Sequence, residues 1–259
     1  MKNFFKILYL IILILTVNYQ VNAAEKVKLL KTDWSFKGLF GKFDRGSLQR
    51  GYQVYSEVCS SCHSMKYVSY RNLSEPGGPE FTEEQVKAIA TSFEVIDGPN
   101  NDGEMFVRPA KLSDKFVMPF ENVKAAQAAN GGAYPPDMSV LAKARSGGVD
   151  YIYSVLLGYE DPPSGVTLDE GVYYNKYMYG NNIKMAKPLS NDLIEYSDGT
   201  VATEEQMAKD VTTFLMWAAE PHLEARHKMG FKAILYLIIL TILVYFSMKK
   251  IWSRIESEV

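Results

Sequence analysis

Both cysteines of this chain, and one of its three histidines, lie in a single five-residue stretch, Cys59-Ser-Ser-Cys62-His63. Cys-x-x-Cys-His is the pattern of covalent c-type haem attachment. Cys59 and Cys62 would form thioethers with the two porphyrin vinyl groups, and His63 would bind the iron from one side. The motif therefore predicts a chain that folds around a haem.

Two cysteines at this spacing have three other common uses in proteins. A structural zinc site needs four ligands, and the remaining histidines, His222 and His227, lie beside an apolar span. A redox dithiol usually follows a strand, whereas the stretch before the motif has helical spacing at Leu48, Tyr52, Tyr55 and Val58. A disulfide would close a very small loop and constrain little. Haem attachment is the interpretation that the motif favours.

The beginning of the chain has the pattern of a secretory signal peptide. Lys2 and Lys6 give a basic start, a nearly continuous apolar run follows over 4–17, and Val21-Asn22-Ala23 resembles a cleavage site. A mitochondrial presequence would be rich in Arg and Ser, and an uncleaved anchor would need a longer apolar run. We therefore expect residues 1–23 to be a cleaved signal peptide.

A second apolar stretch lies near the other end of the chain. No charged residue occurs between Ala233 and Met248, which predicts a transmembrane anchor over 229–249. Because the signal peptide directs export, residues 24–228 are expected to form a periplasmic domain and 250–259 a cytoplasmic tail. The predicted location is the bacterial inner membrane, crossed once.

The middle of the chain is long enough for one domain with a sizeable core. The formal charge is −2, or −4 once Lys2 and Lys6 are removed, which disfavours a nucleic-acid partner. Eight acidic residues and one lysine, Lys87, lie in 72–107, which we call the acidic segment. It is either a solvated surface or a negative patch that steers a basic partner.

The pattern along this domain predicts a mainly α fold with long loops. Thr203-Glu-Glu-Gln206 fits a capping box, and the helix that follows should end or bend near Pro221. No series of strands is evident. Three turn-rich stretches, 131–139, 159–165 and 179–192, are long for a compact domain, and a haem could organise them.

A haem bound by His63 needs a further axial ligand unless the site is open for catalysis. Methionine raises the potential and suits electron transfer. The methionines of the domain outside the motif region are Met105, Met118, Met138, Met178, Met185, Met207 and Met216. Met207 and Met216 have the spacing of core residues in a helix, and Met185 lies in a loop beside Lys187-Pro188. From the residues alone, an open site and several methionines remain possible.

Four stretches, which start at Gly46, Ala128, Gly171 and Asp198, resemble the cytochrome c1 family, the haem subunits of cytochrome bc1 complexes. They read GSLQRGYQVYSEVCSSCHSM, AANGGAYPPDMSVLAKARSGGVDYIYSVLLGYEDPPSGV, GVYYNKYMYGNNIKMAKPL and DGTVATEEQMAKDVTTFLMWAAEPH. The likeness covers about 43–250. It implies a c-type cytochrome haem domain, mainly α with long loops, plus one C-terminal transmembrane helix.

The resemblance also implies roles for individual residues. Met185, in an Ile-x-Met-Ala-x-Pro context, matches the axial methionine, although Lys187 stands where the family usually has proline. Arg145 matches an arginine that faces a haem propionate. Tyr151 matches a haem-contacting tyrosine and Asn130 a haem-pocket asparagine. The carbonyl of Pro136 is expected to accept a hydrogen bond from Nδ1 of His63.

The function that the resemblance implies is electron transfer within a ubiquinol–cytochrome c reductase. The chain would carry one covalent haem c and pass electrons from a Rieske iron–sulfur protein to cytochrome c, beside cytochrome b in the membrane. By itself it would be an electron carrier rather than a catalyst. An open-sited haem enzyme and a stand-alone membrane shuttle are the alternatives. The acidic segment is the expected docking surface for the acceptor.

Overall fold

The computed structural model describes residues 27–256. Helices joined by long loops make up most of this region, and its last element is one long apolar helix. The mainly α fold class with a C-terminal membrane helix is therefore confirmed. The predicted signal peptide, 1–23, lies outside the described residues, and the domain limits at 228 and 249 stay predictions.

Six α-helices lie within the described residues, and we number them in chain order. They are α1 Arg45–Val54, α2 Glu83–Thr91, α3 Val123–Ala129, α4 Gly148–Leu157, α5 Glu204–Ala219 and α6 Leu223–Glu256. A π-helical turn, Tyr55–Cys59, extends α1, and 3-10 turns occur at Tyr70–Ser74 and Tyr179–Asn181. The helix predicted before the cysteine motif is thus present and runs into the motif itself.

Two small antiparallel sheets accompany the helices. Strands β1 Glu94–Asp97 and β2 Phe106–Pro109 form one hairpin, and β3 Tyr173–Tyr174 pairs with β4 Asn182–Ile183. The sequence carries no strand signal here, because runs of two to four residues are too short to show alternation. The second sheet matters for function because β4 ends two residues before Met185.

The core of the domain lies between α1 and α5. Tyr52 and Phe214 meet edge to face at 5.8 Å, and Tyr55 also contacts Phe214. The two helices approach closely at Gly51, where an added Cβ would lie 2.1 Å from the carbonyl oxygen of Asp210. Only glycine therefore allows the two helices to pack at this distance.

A buried carboxylate changes the predicted start of α5. The Thr203 hydroxyl accepts a hydrogen bond from the Gln206 amide nitrogen at 3.1 Å, which is one half of the predicted capping box. The other half is absent: the Thr203 amide donates to the Val201 carbonyl at 3.0 Å, and the Gln206 side chain donates to Asp210 at 2.8 Å. Arg50 of α1 pairs with the same carboxylate. The helix ends at Ala219, as the proline at 221 predicts.

Helix α6 is the one described helix that is long and apolar enough to cross a membrane. Its 18-residue window of highest mean hydropathy reaches 2.2, and none of that window is buried against the rest of the chain. Its apolar side chains are exposed along the helix, from Phe231 to Trp252. Burial of this surface in a bilayer is what its composition requires.

Candidate functional site

The cysteine motif lies where the π-helical turn ends. The Cys59 carbonyl accepts hydrogen bonds from the amide nitrogens of Cys62 and His63, at 3.1 and 2.9 Å, and so curls the five residues into one compact turn. Cys59 is buried and Cys62 is exposed, and neither forms a disulfide. Burial raises the pKa of the Cys59 thiol to about 12, with a smaller contribution from Cys62.

The imidazole of His63 is fixed by a single hydrogen bond. Nδ1 lies 2.9 Å from the carbonyl oxygen of Pro136, and because a carbonyl can only accept, Nδ1 carries the proton. Burial lowers the pKa of His63, and the hydrogen bond to Pro136 opposes this only in part. The ring is therefore neutral at pH 7, and its Nε2 lone pair is available to a metal.

The segment that carries Pro136 is held firmly against the cysteine motif. The Ser64 carbonyl accepts from the Met138 amide at 2.8 Å, and the Ser64 hydroxyl donates to Asp137 at 2.7 Å. The Lys66 amide also donates to Asp137, at 3.0 Å. Burial raises the pKa of Asp137, but these hydrogen bonds outweigh it and leave the pKa below its usual value. Asp137 therefore stays charged and holds the Pro136 carbonyl in place.

Met185 follows β4 in a bend, with its side chain half-buried. The hydroxyl of Tyr159, just beyond α4, donates to the Met185 carbonyl at 3.0 Å. One residue earlier, the Lys184 ammonium donates to the Gly131 carbonyl at 2.9 Å. The segment is thus tied both to the end of α4 and to the loop that leads to Pro136.

The loop 131–137 therefore contacts one predicted axial ligand, His63, and the residue next to the other, Lys184. Pro136 binds His63 directly, and Gly131 binds the residue next to Met185. Beside this loop lies a cleft of about 200 Å³. Its lining includes the exposed thiol of the motif, aromatic and proline side chains, and one helix end, contributed by Cys62, Met118, Pro119, Phe120, Asn122, Tyr134 and Pro135.

These donors fit a haem better than a bare metal ion. Within residues 27–256, no cluster of three or more His, Cys, Asp or Glu side chains could hold a metal ion. A thiol beside an apolar cleft, an imidazole with a free nitrogen and a half-buried thioether are the groups that c-type haem attachment uses.

The other methionines differ from Met185 in their surroundings. Met207 is completely buried in α5 and Met216 is partly buried against the core, as their spacing predicts. Met138 is buried, whereas Met105 and Met118 are more than half exposed. The sulfur of Met178 accepts a hydrogen bond from the Tyr151 hydroxyl at 3.1 Å. Met185 is half-buried, and its assignment as the second axial ligand stays a prediction.

The three residues assigned through family resemblance alone have contacts within the chain. Asn130 ends α3, where its side-chain amide donates to the Ala126 carbonyl at 2.7 Å. Tyr151 points towards Met178. Arg145 is exposed, and its guanidinium donates to the neighbouring Ala144 carbonyl at 3.1 Å. Their roles towards a haem stay predictions.

Sequence reasoning missed Asp137, Tyr159 and Lys184. Asp137 and Tyr159 lie in turn-rich stretches, but their role depends on which backbone groups they meet far along the chain. Lys184 is next to the predicted ligand, and nothing in its sequence context indicates that its ammonium binds a carbonyl 53 residues earlier. These contacts could be found only in three dimensions.

The acidic segment is less uniformly negative than its sequence suggests. Glu80 pairs with Arg45 at 2.9 Å, and Asp97 pairs with Arg108, which also binds Asp114. Both arginines lie outside 72–107, so their positive charges are not part of the segment's own sequence. The acids that keep exposed carboxylates without an ion-pair partner among the described residues are Glu83, Glu84, Glu94, Asp102 and Glu104.

The chain is similar to known proteins over most of its length. The family model described as Cytochrome C1 family matches residues 34–255. Cytochrome c1 of Rhodospirillum rubrum is 48% identical over 246 residues, which cover 89% of each chain. Cytochrome c1 2, heme protein, mitochondrial, of Arabidopsis thaliana is 49% identical over 225 residues, 87% of this chain and 72% of that one.

A longer relative also matches. Cytochrome b/c1 of Bradyrhizobium diazoefficiens is 52% identical over 239 residues, and the match spans 85% of this chain but only 35% of that protein. The matched residues contain both the cysteine motif and Met185, together with the loop 131–137 that joins them. The chain belongs to the cytochrome c1 family.

Proposed function

We propose that the chain is the electron-transfer subunit of a cytochrome bc1 complex, and that it passes electrons from a Rieske iron–sulfur protein to cytochrome c. Membership of the family implies a haem cofactor. A relative from Candida albicans, 48% identical over 227 residues, is named cytochrome b-c1 complex catalytic subunit, mitochondrial. The observation that carries the proposal is the His63–Pro136 hydrogen bond, which leaves one imidazole nitrogen of the motif free for iron.

The residues of the motif would hold one haem c per chain. Cys59 and Cys62 would anchor the porphyrin covalently, and His63 and Met185 would be the axial ligands. A bound haem would supply a one-electron couple at its iron, with a potential that methionine ligation raises. Two permanent ligands leave no position for a substrate, so the chain itself would carry electrons without catalysing a bond change.

The protein surroundings keep both ligands in one arrangement. The Pro136 carbonyl fixes the ring orientation and the tautomer of His63, and Asp137 fixes Pro136. The hydrogen bond from Tyr159 restrains the backbone of Met185. A site that moves little between oxidation states needs little reorganisation for each electron, which is the physical requirement of a fast carrier.

Helix α6 would anchor the haem domain to the bacterial inner membrane, with the domain on the periplasmic side. In that position the chain would pack against cytochrome b and would meet the Rieske protein in the complex. The exposed acids of the acidic segment would form the docking surface for a basic cytochrome c. Asn130, Arg145 and Tyr151 would line the haem pocket.

Replacement of Met185 by leucine tests the proposal most directly. In the oxidised protein we expect the methionine-to-iron charge-transfer band to disappear and the midpoint potential to fall, because a soft thioether is lost. Met105→Leu, which changes an exposed methionine of the acidic segment, should keep both properties. Ready binding of carbon monoxide or peroxide by the parent protein would contradict the proposal and favour an open-sited enzyme.

Gentle detergent extraction distinguishes a subunit of a cytochrome bc1 complex from a stand-alone membrane shuttle. Co-purification with a b-type cytochrome and an iron–sulfur protein is the expected result. A haem protein extracted without either partner would contradict membership of the complex and would support a stand-alone membrane carrier.

A further inference from the structure

A groove lies where α6 leaves the haem domain. One wall is the loop 39–42, and the other is the first part of α6. The helix contributes His227, Lys228, Phe231 and Lys232, which share one face at helical spacing. The groove encloses about 230 Å³, and we call it the juxtamembrane groove.

The walls of this groove are fixed by specific contacts. The Phe43 amide donates to Glu224 of α6 at 3.0 Å, and the Arg45 guanidinium binds the same carboxylate at 2.7 Å. Phe40 and Phe231 meet edge to face at 5.9 Å. At Gly41, an added Cβ would lie 2.3 Å from the Phe36 carbonyl oxygen, so the loop can take this shape only with glycine. The groove is therefore a built feature of the fold.

The groove has unbalanced positive charge. Lys42, Lys228 and Lys232 are exposed, and none of their ammonium groups forms an ion pair or hydrogen bond within residues 27–256. The carboxylate in the groove, Glu224, is already engaged by Arg45. The Nδ1 atom of His227 is buried without a hydrogen-bond partner in the same described region. The groove therefore offers unused donors and a net positive field.

The position of the groove along α6 indicates what fills it. Lys232 directly precedes the uncharged stretch 233–248, and Lys228 lies one turn earlier, about 6 Å along the helix axis. Both lysines thus lie at the level where lipid phosphates meet the hydrocarbon core. Phe40, with 72% of its surface exposed, continues the apolar wall beside them.

We propose that the juxtamembrane groove binds an anionic phospholipid from the leaflet on the side of the haem domain. The lysines face the lipid phosphate, and Phe40 and Phe231 lie along the start of an acyl chain. The charge of the groove matches a phosphate monoanion, and its apolar wall is continuous with the membrane-spanning surface of α6. Both properties favour a lipid over a soluble partner.

The test uses the full haem-loaded chain in nanodiscs of phosphatidylcholine that contain a small fraction of spin-labelled phosphatidylglycerol. The parent protein is expected to immobilise the labelled phosphatidylglycerol, and labelled phosphatidylcholine much less. In Lys228→Gln/Lys232→Gln we expect the affinity for phosphatidylglycerol to fall roughly tenfold, because each basic residue at the surface adds to the attraction. Lys87→Gln/Lys124→Gln removes two exposed lysines elsewhere and should change nothing.

A second variant separates a shaped site from diffuse attraction. Gly41→Ala keeps every lysine but displaces the loop, so immobilisation should be lost if the groove binds the lipid. Retention of haem absorbance reports that each variant is folded. Equal immobilisation of both lipids by the parent, or unchanged affinity in the double lysine variant, would overturn the proposal. So would a protein partner from the intact complex that displaces the lipid completely.

Discussion

At the scale of single residues, the site depends on hydrogen bonds to backbone carbonyls that orient the ligands. The Pro136 carbonyl accepts a hydrogen bond from Nδ1 of His63, and the Met185 carbonyl accepts one from the Tyr159 hydroxyl. Burial of Tyr159 raises the pKa of its phenol, so it remains a hydrogen-bond donor throughout the physiological range. These bonds act on the backbone and the tautomer, so they would orient the two proposed ligands without touching a metal.

Tyr159→Phe removes the donor to Met185 and keeps the ring. We expect a stability loss of about 1 kcal/mol and a weaker hold on the methionine ligand. Added imidazole should then displace Met185 about fivefold more readily, and the midpoint potential should be lower. Absorbance titration and redox titration measure the two effects. Tyr179→Phe, in the 3-10 turn before β4 and 93% exposed, is the control; equal behaviour of the two variants would refute a positioning role.

At the scale of elements, the domain depends on how closely helices and terminal segments approach each other. Helix α1 carries the cysteine motif at its end, so its packing against α5 determines where the motif lies. The N-terminal segment is fixed in a similar way to α4, whose Asp150 binds Lys31 at 2.6 Å and the Trp34 indole at 2.6 Å. Just beyond the end of α4 lies Tyr159, whose hydroxyl donates to the Met185 carbonyl.

Gly51→Ala should disrupt the contact between α1 and α5. Its Cβ would overlap the Asp210 carbonyl, so we expect a loss of about 3 kcal/mol or failure to incorporate haem. Gly46→Ala lies in the same helix, where the nearest atom is 3.2 Å away on the flexible Arg50 side chain. That variant should be unchanged or more stable by up to about 1 kcal/mol. Thermal unfolding would show the difference, and similar melting of both variants would contradict the close contact.

Asp150→Asn tests the attachment of the N-terminal segment and its pH dependence. Burial raises the pKa of Asp150, but hydrogen bonds from Lys31, Trp34 and Lys37 outweigh it and leave the pKa below its usual value. The stability that this carboxylate contributes is therefore present above pH about 4 and is lost as the pH falls through its folded-state pKa.

At pH 7 we expect Asp150→Asn to cost about 2 kcal/mol, and the gap from the parent protein should close on acidification. Urea unfolding at several pH values measures this gap. Asp169→Asn changes an exposed carboxylate and should show no such dependence. A gap that stays constant between pH 7 and pH 3 would show that charge is not involved.

At the scale of the whole molecule, charge is divided between two regions. The exposed acids of the acidic segment lie within the haem domain, whereas unpaired lysines gather where α6 begins. A carrier that attracts a basic soluble partner at one surface and an anionic membrane at another needs such a separation. Close together, the acidic and the basic residues would cancel each other's attraction.

Electron transfer to a basic cytochrome c should slow as salt is added, because screening weakens the attraction between the two proteins. Asp102→Asn/Glu104→Gln should lower the rate at low ionic strength and flatten the salt dependence. Asp169→Asn/Glu170→Gln removes two exposed acids from another loop and serves as the control. Stopped-flow measurement of the electron-transfer rate across a salt series tests this prediction. A rate independent of salt would exclude electrostatic docking.

The sequence alone determined the fold class, the cysteine motif and the membrane helix. Each is local: five adjacent residues form the motif, helical spacing marks α1 and α5, and an uncharged stretch marks α6. The short strands and the missing half of the capping box could not be predicted, because strand pairing and the partners of Thr203 and Gln206 are settled only in the folded chain.

Only the tertiary structure decided how the two halves of the site are joined. His63 and Met185 are 122 positions apart, and the loop 131–137 connects them through the carbonyls of Pro136 and Gly131. A carbonyl has no sequence signature, since every residue carries one. Candidate ligands could therefore be named from their side chains, whereas the backbone groups that hydrogen-bond to them or to their neighbours come within reach only on folding.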